Sequence, residues 1–163
     1  MMNKGVYTAF ISIIAAQALK IPIHYVKSSQ WNWKMLFQTG GMPSSHSAGV
    51  ASLTTFIGLK KGIPAIEFAL SLIFGLIVMY DAQGIRRQTG ELTLKVNDLD
   101  ELIRKIHEKD PVAVEQTSHT RLKEMLGHQP EEVLGGALLG SAIGWMGHNL
   151  SKKDRKNRRF KVR

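Results

Sequence analysis

The chain of 163 residues contains no cysteine, which excludes both a disulfide framework and a thiolate metal site. It is also short of net charge outside one stretch. Positions 152–163 carry eight basic residues and one acidic residue, while the other 151 residues hold 14 basic and 12 acidic side chains, so most of the formal charge of +9 belongs to a tail. A body this close to neutral lacks the basic surface that nucleic-acid binding needs, and no nucleic-acid partner is expected. Apart from the tail, no repeat or low-complexity segment interrupts the sequence.

Charge is missing in another sense as well. Residues 5–19, 35–59 and 133–151 contain no charged side chain, and residues 62–80 contain only Glu67. About 20 apolar residues in a helix cross a hydrocarbon core. The expected fold is all-α: an integral, multi-pass membrane bundle of about four transmembrane helices in the cell membrane, with the lipid bilayer as its first partner. A soluble bundle of buried helices is the alternative. Residues 1–151 are read as one transmembrane domain and 152–163 as a basic tail.

The first block, residues 6–21, has features of a signal peptide, since Lys4 precedes it and Ala16-Gln17-Ala18 resembles a cleavage site. Apolar character continues to Ile23, interrupted only at Lys20 and Pro22, which favours a retained helix. Trp31 and Trp33, beside Lys27 and Lys34, suit a membrane interface. A second helix is expected from Ser44 or Ser45 to about Leu59, and a third from Pro64 to about Arg87. Residues 88–129 read as a water-facing insert. One helix there would be capped by Asn97 or Asp98, carry Leu99, Leu102, Ile103 and Ile106, and stop at Pro111, and a short one would span 117–126. The fourth span opens at Pro130, with Glu131 and Glu132 in its first turn. Gly136, Gly140 and Gly144 recur every four positions and let another helix approach closely, either in this chain or in a second copy forming a homo-oligomer.

With four spans both termini lie on one side. Lys4, Lys60, Lys61 and the tail assign that side to the cytoplasm by the positive-inside rule. The clusters bearing reactive groups then share the opposite, extracytoplasmic face.

Three clusters stand out. In Gly40-Gly41-Met42-Pro43-Ser44-Ser45-His46-Ser47-Ala48, glycines and serines at a helix start offer amides and hydroxyls to an anion, and His46 is placed to donate a proton. The plainer reading is a capped helix. In Gly127-His128-Gln129-Pro130-Glu131-Glu132, four-residue spacing sets Glu132 against His128, so the carboxylate holds one imidazole nitrogen and leaves the other electron-rich. The plainer reading is an ordinary pair at a helix entrance. Arg86 and Arg87 offer guanidinium forks that match phosphate oxygens, or bind lipid headgroups without specificity. Asp81 is the expected partner of one of them, and Lys20 and Lys27 are further cations at the same face.

These residues resemble the type 2 phosphatidic acid phosphatase superfamily, most closely its divergent branch of small bacterial membrane proteins related to acid phosphatase and vanadium-dependent haloperoxidase. The segments GGMPSSHSA, YDAQGIRRQTG and GHQPEEVLGGALLG carry the likeness. The resemblance implies that His128 is a nucleophile oriented by Glu132 and that His46 protonates the leaving group. It further implies that Ser44 and Ser45 hold phosphate and that neither metal nor cofactor is required. The superfamily's second motif has glycine where Ser45 stands. Its third has arginine where Leu122 stands, with Arg121 out of register, so the phosphate clamp falls by chemistry to Arg86 and Arg87. Its first motif is met only by the separation of Lys20 and Lys27. The expected function is therefore hydrolysis of a lipid phosphate or diphosphate through a phosphohistidine. The alternative is a non-enzymatic membrane protein that binds anionic headgroups or serves in transport.

Overall fold

A computed structural model describes residues 3–37, 40–107, 122 and 127–160. In chain order these form α1 (Lys4–Ser28), a short 3-10 helix (Trp33–Phe37), α2 (Ser45–Lys61), α3 (Ile66–Gln83), α4 (Ile85–His107) and α5 (Pro130–Phe160), with no strand among the described residues. Asn3 caps α1 by accepting a bond from the Gly5 amide at 2.9 Å. Pro22 lies inside α1, which continues past the first apolar block and is closed by Ser29 in the left-handed conformation. A proline removes a single backbone bond there, a loss that membrane helices commonly absorb.

Helix α2 is central, packed on one side by α5, on another by α1 and on a third by α3. The faces that meet are small and partly polar. Ser12, Ala16, Ser47, Ala48 and Ser52 are buried, whereas Leu70, Phe74 and Tyr80 of α3 remain 65%, 63% and 76% exposed. A water-soluble bundle would bury those large side chains; helices in lipid have no such incentive and join through small residues and interhelical hydrogen bonds. Two such bonds are present, from Ser12 Oγ to the Ala48 carbonyl at 2.9 Å and from Thr54 Oγ1 to the Ser71 carbonyl at 3.0 Å. Helix α1 and the stretch Ile66–Lys105 are each long and apolar enough to cross a membrane. The fold is thus an all-α membrane helical bundle.

The glycine stripe is used inside the chain. A methyl group at Gly136, Gly140 or Gly144 would collide with the carbonyl oxygens of Ser44, Ala48 and Ser52 respectively. The two residue numbers advance together in steps of four, so α2 and α5 run parallel with their backbones in close contact. Of the two uses the stripe allowed, the structure shows the one within the chain: α2 occupies this face.

Two helix boundaries differ from expectation. The third helix stops at Gln83 and a new one begins at Ile85, so Arg86 and Arg87 open α4 instead of closing a span. The cause is Gly84, whose backbone at φ −88° and ψ −82° leaves the helical path for one residue. Consequently Asn97 is no cap: it sits within α4, donating to the Leu122 carbonyl and accepting from the Leu122 amide, both at 3.0 Å. Helix α5 also runs through the start of the basic tail to Phe160. The short helix expected at 117–126, except Leu122, and the stop at Pro111 lie outside the described residues.

Candidate functional site

The site forms where the α2 entrance, the α3–α4 junction and the α5 entrance meet. Gly41, at φ +92°, turns the chain toward α2 in a conformation that side chains other than glycine rarely adopt. Ser44 then caps α2, its Oγ accepting from the Ser47 amide at 3.3 Å and from the Ser47 hydroxyl at 3.1 Å. Both Ser44 and Ser45 are buried, and the Ser44 hydroxyl serves the cap, in keeping with the plainer reading of this motif.

Residues 127–132 are fastened from both sides. The His128 amide donates to the Ala82 carbonyl at 3.0 Å, and the Ser44 amide donates to the Glu132 carbonyl at 2.9 Å. Gly127 lies so close to the backbone of Arg86 and Arg87 that any Cβ there would collide with it. These contacts set His128 against His46, their ring centroids 5.8 Å apart and their planes at 69°.

His128 is 2% exposed. Its Nδ1 lies 2.9 Å from Glu132 Oε2, which also accepts from the Gln129 amide at 3.2 Å. A carboxylate at that distance makes Nδ1 the donor, so Nε2 keeps its lone pair. Nε2 of His128 and Nδ1 of His46 are both buried without a hydrogen-bond partner among the described residues. Burial pushes the His128 imidazole below the ordinary histidine range, the Lys20 and Arg86 charges push in the same direction, and Glu132 opposes them. His128 is therefore neutral at physiological pH.

The cations divide into two groups. Lys20 is 1% exposed and lies beneath the Gly41 turn, its Cδ 3.9 Å from where a Cβ on that glycine would stand. Its charge acts on Glu132 and on both histidines. Arg86 also acts on both rings while its Nε donates to Asp81 at 2.8 Å, the expected pair. Arg87 instead donates to Glu91 at 3.1 Å, along α4. Lys27 is exposed on the last turn of α1, about two turns beyond Lys20. The structure thus gathers His46, His128, Glu132, Lys20 and Arg86, with Asp81 behind them.

Sequence reasoning missed three supports: the Ala82 carbonyl, the Gly127 contact and the Ser47 hydroxyl. The first two are backbone features of the α3–α4 break, which a single glycine signals only weakly. Ser47 was visible as one more serine in the motif.

Fold and site together define a helical membrane protein with a paired-histidine, carboxylate-oriented centre at one end of the bundle. The chain belongs to the Divergent PAP2 family, whose model matches residues 1–143. It is 43% identical over 141 residues to a Bacillus subtilis (strain 168) protein named Uncharacterized membrane protein YuiD, an alignment covering 85% of this chain and 89% of the relative. No solved structure matches.

Proposed function

We propose that the protein is a phosphatase of the cell membrane that hydrolyses a lipid phosphate or diphosphate through a phosphohistidine intermediate. One observation carries this reading: His128 gives Nδ1 to Glu132 at 2.9 Å and keeps Nε2 unpartnered, with His46 beside it at 5.8 Å between ring centroids. In the first step His128 Nε2 attacks phosphorus in line, the bond from phosphorus to the lipid oxygen breaks, and His46, held as the imidazolium beside the anionic phosphate, delivers its proton to that oxygen. Water then attacks the phosphohistidine as the now neutral His46 takes its proton, the bond from phosphorus to Nε2 breaks, and inorganic phosphate leaves with both histidines restored. Lys20 and Arg86 offset the charge that gathers on the equatorial phosphoryl oxygens.

The exposed aromatic cluster beside the site suits an amphiphilic substrate. Tyr25 meets Trp31 at 5.5 Å and Trp31 meets Trp33 at 5.6 Å, both edge to face, an arrangement fitted to a headgroup region. Lys4, Lys60, Lys61 and Lys152 lie at the far end, which by the positive-inside rule supports cytoplasmic termini and an extracytoplasmic face for the histidines.

A second reading, an anion-binding membrane protein without turnover, draws on the ion pairs Arg86–Asp81 and Arg87–Glu91. Both guanidinium groups already hold carboxylates, and Leu122 stands where the superfamily's third motif has arginine. Turnover separates the two readings. Purified protein in detergent is given a panel of lipid phosphates and diphosphates beside His128→Ala and His46→Ala. Phosphate release abolished by His128→Ala supports the phosphatase; release that survives it removes His128 as nucleophile, and no release from any member of the panel favours the binder.

A further inference from the structure

Two adjoining cavities lie at the other end of the bundle. The first, about 260 Å³, is lined by Leu59, Lys60, His148, Ser151 and Lys152. The second, about 410 Å³, lies between α1 and α5, with Tyr7, Ile11, Ile143, Met146 and Leu150 among its walls and Lys4 and Ser151 also lining it. Ser151 belongs to both, so a basic chamber opens beside an apolar groove. The His46 position, in the first turn of α2, is 14 residues from Lys60, roughly 21 Å along the helix. Neither cavity is part of the histidine site.

Among the described residues the chamber's charge is one-sided: no acidic residue is among those that line either cavity. Glu67, the acid nearest in sequence to the α2–α3 turn, bonds Lys61 at 2.8 Å. The neighbouring Lys60 turns its ammonium over the Phe56 ring at 5.7 Å, and His148 packs edge-on against the same ring at 5.9 Å. That ring aligns Lys60 and His148 along one wall. The groove is apolar yet open, with Tyr7 57% and Met146 55% exposed, so in a bilayer it faces hydrocarbon.

We infer that the two cavities form one binding site for an anionic phospholipid, whose phosphate enters the chamber between Lys60 and Lys152 and whose acyl chain lies along the groove between α1 and α5. Two ammonium groups select a negative headgroup, and basic pockets between membrane helices are suited to this. The groove distinguishes a lipid from a soluble phosphate ester, which would have nothing to place there. This inference stands apart from the proposed phosphatase reaction.

The test uses the full chain in uncharged detergent, freed of co-purified lipid, with bound lipid counted by native mass spectrometry. Dioleoyl phosphatidylglycerol, dioleoyl phosphatidylcholine and glycerol 3-phosphate are the probes. Phosphatidylglycerol is expected as a one-to-one adduct, with the other two retained far more weakly. The double change Lys60→Gln and Lys152→Gln weakens that adduct at least roughly tenfold. Lys61→Gln, which removes the same kind of charge from a lysine held by Glu67, weakens it less than about twofold. Melting of each variant without lipid confirms folding, and where the double variant does not fold, the two single variants carry the comparison. Equal retention of phosphatidylcholine, a loss in Lys61→Gln as large as in the Lys60 and Lys152 variants, or glycerol 3-phosphate binding as tightly as the lipid overturns the inference.

Discussion

Gly140→Ala is the sharpest perturbation of the link between packing and site. The added Cβ would lie 2.8 Å from the Ala48 carbonyl carbon and Cα and closer still to the carbonyl oxygen. Optimal carbon–carbon separations are about 3.5–4.0 Å, so α5 must retreat from α2 by roughly 1 Å. Backbone atoms cannot swing aside as a side chain does, and α2 is confined on its far side, where a Cβ on Gly49 would lie 2.8 Å from Ile13 Cγ1. Overpacking of this kind costs about 1–3 kcal/mol. Its reach extends to the site, because Glu132 lies eight residues up the same helix, about 12 Å away, and the retreat carries Glu132 and His128 from Ser44 and His46. A displacement of about 1 Å at a reacting centre costs roughly 100-fold in rate. Gly135→Ala provides the control. There a Cβ meets only the flexible end of Met42, at 3.0 Å, and the gain in helix propensity of up to about 1 kcal/mol offsets the contact. Thermal unfolding in detergent, read beside phosphate release, compares the two. Gly140→Ala as stable and as active as Gly135→Ala would refute the close-packed parallel register of α2 and α5.

Three further outcomes follow from the electrostatics of the site. Because Glu132 opposes the downward push on His128, Glu132→Gln moves the acid limb of the kcat/KM profile to lower pH. It also slows turnover by roughly 10²- to 10⁴-fold through loss of ring orientation; an acid limb that moves upward would contradict this. The same imidazole holds a proton less tightly in the folded protein than in the unfolded chain. Its contribution to stability is therefore complete above the unfolded value near pH 6.5 and is lost as pH falls through the lower folded value, which His128→Gln should relieve in pH-dependent melting. Arg86 acts on both histidines whereas Arg87 is paired along α4, so Arg86→Ala lowers kcat/KM by about tenfold or more and Arg87→Ala by less. Equal losses would show that the two arginines do not divide as the geometry has them.

Chemistry at helix ends was legible in the sequence, and helix partnership was not. The His128 and Glu132 spacing is local, so the pair could be read directly, as could Asp81 with one of the neighbouring arginines. The glycines of α5 announced a close approach, but nothing local says that their partner is α2, because that depends on which of several small-residue faces meet. Lys20 read as one of several interfacial cations; its burial arises only when the Gly41 turn folds over it. The α3–α4 boundary escaped because hydropathy ends gradually near Arg87, whereas the helix axis breaks at Gly84 through one residue's dihedral angles. Pro22 interrupts the apolar run but not the helix, since a proline that would end a helix in water is carried through one in a membrane.

The central claim is that His128 becomes covalently phosphorylated. Protein mixed with a lipid phosphate and quenched in alkali, in which phosphohistidine survives, is digested and mapped by mass spectrometry. The account predicts phosphate on His128, formed no more slowly than turnover and absent from His128→Ala. Release of inorganic phosphate at the full rate with His128 never modified would contradict it.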